Sequence, residues 1–266
     1  MALSSIQIGN LQVSRFILGG NPFSGFSHQG SDRDQEMIRY YTAERIQQTF
    51  RHAEDMGINT FLGRGDQHII RMLREYRDNG GTLQWIGQTC PEMKNIRRSI
   101  EDIITGGAQA CFIHGGQMDF LLSNKELDEV PLAINMIKEA GLKAGVAGHN
   151  PQVHQWAEKN LDVDFYMCSY YNSSHRDEHA EHISGMPEWF KPEDRDIMVN
   201  IIRTLHKPVI HYKIMAAGRN DPAEAFRFTA HHLRANDAVC VGIYSNDKPD
   251  MIGENIRLFE ECLIHE

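Results

Sequence analysis

The chain lacks the marks of several large protein classes. Its five cysteines, an odd number with no C-x-x-C pair, offer neither a disulfide framework nor a thiolate zinc cluster. No apolar run approaches the roughly 20 residues needed to cross a bilayer. The opening MALSSIQIGN has neither the basic segment nor the apolar core of a secretion signal. The expectation is a cytoplasmic protein with no membrane partner. Positive charge is scarce too, since 27 Lys and Arg stand against 36 Asp and Glu, for a formal net charge of −9 with no dense basic block. Such a chain repels phosphate backbones, so nucleic acid is not an expected partner. Linkers, low-complexity tracts and short internal repeats are also missing from the 266 residues.

What is present is a regular alternation. Eight short apolar runs recur, at Phe16 to Gly20, Ile58 to Gly63, Leu83 to Gln88, Ala110 to Gly115, Lys143 to Ala147, Phe165 to Tyr170, Val209 to Lys213 and Ala238 to Tyr244. Each is almost entirely apolar or small, as a parallel strand covered on both faces must be. Between them lie amphipathic stretches such as AERIQQTFRHAEDMG, NIRRSIEDIITGG and ELDEVPLAINMIKEAG, closed by Gly57, Gly106 and Gly141. Pro151 and Pro222 stand just inside helix starts, after the capping residues Asn150 and Asp221. The series predicts an α/β fold, a (β/α)8 TIM barrel, with residues 1–266 as one domain.

In such a barrel the chemistry sits on the loops at the carboxyl ends of the strands, so the polar residues closing each run are the candidates. These are Asn21 after the first run, Arg64 and Asp66 after the second, Gln88 with Cys90 and Glu92 at the third, and His114 at the fourth. The fifth offers His149 and Asn150, the sixth Tyr170, Tyr171 and Asn172, and the seventh His211, Lys213 and Arg219. An imidazole following the apolar Cys111-Phe112-Ile113 must be either satisfied in the core or functional, which singles out His114. Lys213 in VIHYKIM should be desolvated and its pKa lowered, fit for a base or a Schiff base. Strand alternation would put His211 on the side of Lys213 and turn Tyr212 away. Arg64, Asp66 and Arg219 suit a polyhydroxylated or carboxylated substrate, their structural alternative being rim salt bridges.

Two connections exceed the usual βα loop length. One, NPFSGFSHQGSDRDQEMIRYY, follows the first run, and the other, NSSHRDEHAEHISGMPEWFKPED, follows the sixth. Both are expected to wall or cover a pocket, the alternative being decoration or a contact between copies in a homo-oligomer. His175, His179 and His182 in the second share a helical face in an acidic segment, which reads as solvated, the alternative being a metal site.

The order of these signatures resembles the aldo-keto reductase superfamily. QIGNLQVSRFILGGNPF is similar to its opening strand and first barrel turn, AEDMGINTF to its second helix and strand, and ACFIHGG to its fourth strand ending in histidine. GLKAGVAGHNPQ, SYYNSSHR, KPVIHYKIMAAG and SNDKPDMIGENI resemble the fifth, sixth and seventh strands and the last turn and helix. The resemblance implies an Asp, a Tyr, a Lys and a His around a nicotinamide. Here the Asp position falls on Leu62, the Tyr-bearing turn is shortened, the Lys position falls on Gln88, and His114 alone is kept. The cofactor-holding Ser-Asn pair falls on Ala147 and Gly148, its Gln partner on Cys168 and the 2′-phosphate Arg on Met251, with Asn255 retained. NADP is therefore not expected as cofactor.

The sequence thus points to a non-redox enzyme, a lyase, isomerase or epimerase, acting by acid and base next to the carbonyl of a small sugar or sugar-derived substrate. His114, His149 and Lys213 are its expected catalytic groups, and Asn21, Arg64, Asp66, Gln88, Tyr170 and Arg219 its substrate-binding groups. A divalent ion such as zinc, manganese, iron or nickel on His114, His149 and His211 would assist. The alternatives are an atypical NADP-dependent reductase, a Schiff-base aldolase through Lys213, and a catalytically silent ligand-binding barrel.

Overall fold

Alternation along each apolar run decides which side chains fill the barrel and which face the helices. The computed structural model describes residues 3–264. It begins with an antiparallel hairpin, β1 (Ser5–Ile8) and β2 (Leu11–Ser14), whose turn places Gly9 at φ 60°. A Cβ at Gly9 would meet only the movable end of the Lys143 side chain, so it is the left-handed backbone that favours glycine here.

The barrel then runs β3 (Phe16–Gly19), α1 (Ser31–Tyr40), α2 (Ala43–Asp55), β4 (Thr60–Arg64), α3 (Gln67–Asp78), β5 (Gln84–Gln88) and α4 (Ile96–Thr105). It continues with β6 (Ala110–Ile113), α5 (Gly115–Asn124), α6 (Val130–Glu139), β7 (Lys143–Gly148), α7 (Pro151–Asn160) and β8 (Phe165–Ser169). It closes with α8 (Pro192–Ile202), β9 (Val209–Tyr212), α9 (Pro222–His232), β10 (Ala238–Gly242) and α10 (Met251–Ile264). The eight strands β3 to β10 are parallel and pair in sequence order, with β10 closing onto β3, so the predicted (β/α)8 barrel is the observed fold. The fourth run is shorter than expected, because the chain turns at His114 and α5 starts at Gly115. Asn150 and Asp221 cap α7 and α9 as expected, each side chain accepting a backbone N–H of the first turn.

Two shells of apolar side chains hold the barrel. Inside lie Ile17, Leu62, Ile86, Phe112, Phe165, Met167 and Ile210, and the hairpin adds Ile6, Ile8 and Val13. Outside, Phe16, Phe61, Trp85, Ile113, Val146 and Tyr166 meet helix residues such as Phe50, Ile103, Ile134 and Phe226. Each fully buried large side chain contributes about 1.5–3 kcal/mol. Because the hairpin precedes β3, it plugs the amino end of the barrel, leaving the carboxyl end as the open mouth.

Candidate active site

One step beyond the inward series along each strand, Leu62 leads to Arg64, Ile86 to Gln88, Phe112 to His114, Ala147 to His149 and Ile210 to Tyr212. The next inward layer, at the mouth, is therefore polar. Its most ordered part links Asp119, His149 and Tyr212. Asp119, in the first turns of α5, accepts the amides of His149 and Asn150 through Oδ1, at 3.1 and 3.0 Å. Its Oδ2 lies 2.7 Å from His149 Nδ1, and His149 Nε2 lies 3.3 Å from the Tyr212 hydroxyl. The network assigns the tautomer, with Nδ1–H donating to Asp119 and Nε2 accepting from the phenol. Burial holds His149 below the usual imidazole range despite the opposing pull of Asp119. The same burial, with the Asp119 charge adding to it, pushes the Tyr212 phenol well up. Gly115 makes the approach possible, since a Cβ there would lie 2.9 Å from the Tyr212 oxygen and 3.1 Å from His149 Cε1.

His114 stands beside this chain with its Nδ1 buried and without a hydrogen-bond partner. Burial first, then the charges of His149, Arg64, Arg176 and Lys213, keep it well below the usual range, so it is a neutral base. Arg176, from the loop after β8, is 6% exposed; its Nη1 donates to the Glu181 carbonyl while its buried Nε has no partner. Lys213 breaks the strand alternation at φ 56°, a left-handed position that costs a side-chain-bearing residue about 1 kcal/mol or more. Its Nζ donates to Ser173 Oγ at 3.1 Å, and burial lowers its pKa to about 8, with Glu188 and Asp119 opposing and Arg176 and Arg219 assisting.

Several expected roles are corrected. His211 faces outward, fully buried, because Ile210 and Tyr212 take the inward positions of β9. Its Nδ1 meets the Tyr170 hydroxyl at 3.0 Å and its Nε2 meets Asp237 at 3.3 Å, so it neither couples to Lys213 nor joins His114 and His149 in a metal site. Tyr170 lies on the same outer side, packed on Phe228 among the helix-facing residues rather than in the inward layer. Asp66 is committed to the fold, accepting the Ile69 amide as the cap of α3 and pairing with Arg64 at 2.8 Å. Arg64 also pairs with Glu92 and covers the Phe26 ring while staying buried in the inward layer at the mouth. Arg219 clamps loops together, donating to the carbonyls of His28 and Ala216 over the Phe190 ring. Asn21 opens a 3-10 turn, Asn21–Ser24, and Gln88 ends β5 in the inward register.

The segment expected to carry a solvated histidine helix is irregular, and His182 turns inward. His28 Nδ1 lies 2.9 Å from Glu188 Oε2, and His182 Nδ1 lies 3.5 Å from Glu188 Oε1. The His28 and His182 rings meet edge to face at 4.7 Å. Burial and the Lys213 charge lower His28 to about 3; hydrogen bonds from both imidazoles outweigh burial and hold Glu188 far below the usual carboxylate range. These residues line a cavity of about 220 Å³ with Gln29, Asp34 and Arg219. Both long loops thus wall one pocket, as their length suggested.

Sequence reasoning missed Asp119, Tyr212, Arg176 and Glu188. Asp119 had a signal, as the one acid among Met118, Phe120, Leu121 and Leu122.

No protein-family model and no curated protein matches the chain. Solved structures do. A Pseudomonas aeruginosa protein assigned provisionally as an aldo-keto reductase aligns with 97% of this chain and 96% of its own, at a TM-score of 0.67 and 16% identity. The fold is aldo-keto reductase-like. The apo form of Gox0644 aligns at a TM-score of 0.60 and 9% identity, over 97% of this chain and 89% of its own. A truncated 3-deoxy-D-arabino-heptulosonate 7-phosphate synthase from Thermotoga maritima aligns at 0.55 and 12% identity, over 99% and 91%. In the aldo-keto reductase-like barrel described here, the inward positions of the fifth and sixth barrel strands are apolar up to His149, with Ala147 and Met167 in the inner cluster. Among the described residues no helix is long and apolar enough to cross a membrane.

Proposed function

We propose that the protein is a non-redox enzyme that moves a proton at the carbon next to a carbonyl in a sugar-derived substrate, as a lyase, isomerase or epimerase does. The Asp119–His149–Tyr212 chain opening into the barrel mouth carries this reading. A buried phenol is a poor base alone, because its phenolate would be desolvated. With His149 Nε2 in line, the Tyr212 oxygen takes the carbon-bound proton as its own proton passes to the imidazole. The charge then rests on an imidazolium held by Asp119, the logic by which a hydroxyl is activated through a histidine and a carboxylate. The electron pair left on carbon moves to the carbonyl oxygen, and the Lys213 ammonium supplies the opposing charge. His114, neutral with Nδ1 uncommitted, is the second base that can receive or return a proton. The free Nε of Arg176 suits a substrate carboxylate.

The experiment is a panel of aldoses, ketoses and keto acids incubated with the protein in D2O and followed by proton NMR. Exchange of the hydrogen next to the carbonyl in at least one member is expected. An inert panel together with NADPH-dependent reduction of a carbonyl would replace this reading with a reductase. One observation favours a second reading: Lys213, with its pKa near 8, has an appreciable neutral fraction at neutral pH and could form an imine. Borohydride trapping of a covalent adduct on Lys213 would select that aldolase route.

A further inference from the structure

We propose that His28, His182 and Glu188 form a binding site for one divalent transition-metal ion, between the loops that follow the first and sixth barrel strands. One ligand atom from each of the three lies within 4.8 Å of the other two. Their side chains are 12%, 12% and 5% exposed, so the set is shielded yet opens onto the cavity of about 220 Å³. The His28 Nδ1 to Glu188 and His182 Nδ1 to Glu188 separations of 2.9 and 3.5 Å are already those between neighbouring ligands of a shell with ~2.1 Å bonds. Two imidazoles and a carboxylate suit zinc, cobalt, nickel, iron or manganese, and leave coordination positions for water or substrate.

Two further observations point to a ligand. His182 Nε2 is buried without a hydrogen-bond partner, so this imidazole is incompletely satisfied in the pocket. His28 sits at φ 58°, so backbone strain is maintained to aim this imidazole at Glu188. At present His28 and Glu188 face each other across a hydrogen bond, and an ion would take the place of the shared proton. Asp34, lining the same cavity, adds negative charge that offsets Lys213. This inference goes beyond the proton-transfer reading, because the site lies in the loop layer and needs no member of the Asp119 chain.

The test uses the full chain stripped with EDTA and titrated with cobalt(II), read by visible absorption and by calorimetric stoichiometry. One cobalt per chain is expected, with Glu188→Gln and His182→Ala each weakening binding by about a hundredfold. Glu188→Gln keeps the side-chain shape, so it serves even where the histidine variant folds poorly. Absence of a stoichiometric ion, or wild-type affinity retained in both variants, overturns the site. So does loss of binding in His114→Ala with both loop variants unaffected, which would put the ion at the barrel centre. None of these results depends on turnover, so failure here is distinguishable from an inert substrate panel.

Discussion

Tyr212 and Lys213 are neighbours in sequence with opposite burdens. The phenol must lose its proton during the reaction, and the ammonium must keep its own. Tyr212→Phe removes the base and is expected to lower turnover by about 100-fold or more, with the fold intact by circular dichroism. Asp119→Asn keeps the side-chain shape but turns an NH2 donor toward His149 Nδ1, which forces the other tautomer and removes the charge that holds the imidazolium, and a loss of about 100- to 10,000-fold is expected. The pH profile separates the two roles open to Lys213. As an ammonium that steadies the enolate, it is lost as pH rises through about 8, so the rate should fall there. As an imine-forming amine it must be neutral, and the rate would rise through the same pH. A rising limb near 8 that disappears in Lys213→Arg would therefore decide for the aldolase route.

Elements decide which residues meet. The barrel was legible because its strands are apolar on both sides and its helices carry stop glycines, signals that need no tertiary knowledge. The polar layer was half legible. Inward register from Leu62, Ile86, Phe112 and Ala147 leads to Arg64, Gln88, His114 and His149, all read as candidates. On β9 the inward series is Ile210 and Tyr212, and reading His211 with Lys213 instead failed because Lys213 leaves the strand with a left-handed φ. The partner Asp119 comes from α5, a helix hidden in what read as one strand and a loop. The tight start of α5 gives its own prediction: Gly115→Ala should push Tyr212 from His149 and lower turnover nearly as far as Tyr212→Phe, while the melting temperature moves little. A variant with full activity would show that the contact is dispensable.

At the scale of the whole molecule, a barrel sealed below by its hairpin and walled above by two loops buries histidines both at its mouth and between its strands and helices. His154, fully buried behind β7, is lowered to about 4 by desolvation, against an ordinary value near 6.5. The unfolded chain therefore binds the proton first as pH falls. Stability should be complete above about pH 6.5 and decline toward 4, with this residue contributing about 3 kcal/mol. Urea midpoints measured across that range should fall, and His154→Gln should flatten the slope; an unchanged slope would remove His154 from the account. The central claim is that a neutral His149 links Asp119 to Tyr212 as a proton relay. Nitrogen-15 NMR of histidine-labelled protein at pH 7 tests it most directly. The account predicts a His149 ring protonated at Nδ1 alone, with a resonance that moves in Asp119→Asn and in Tyr212→Phe. An imidazolium, or a ring protonated at Nε2, would contradict it.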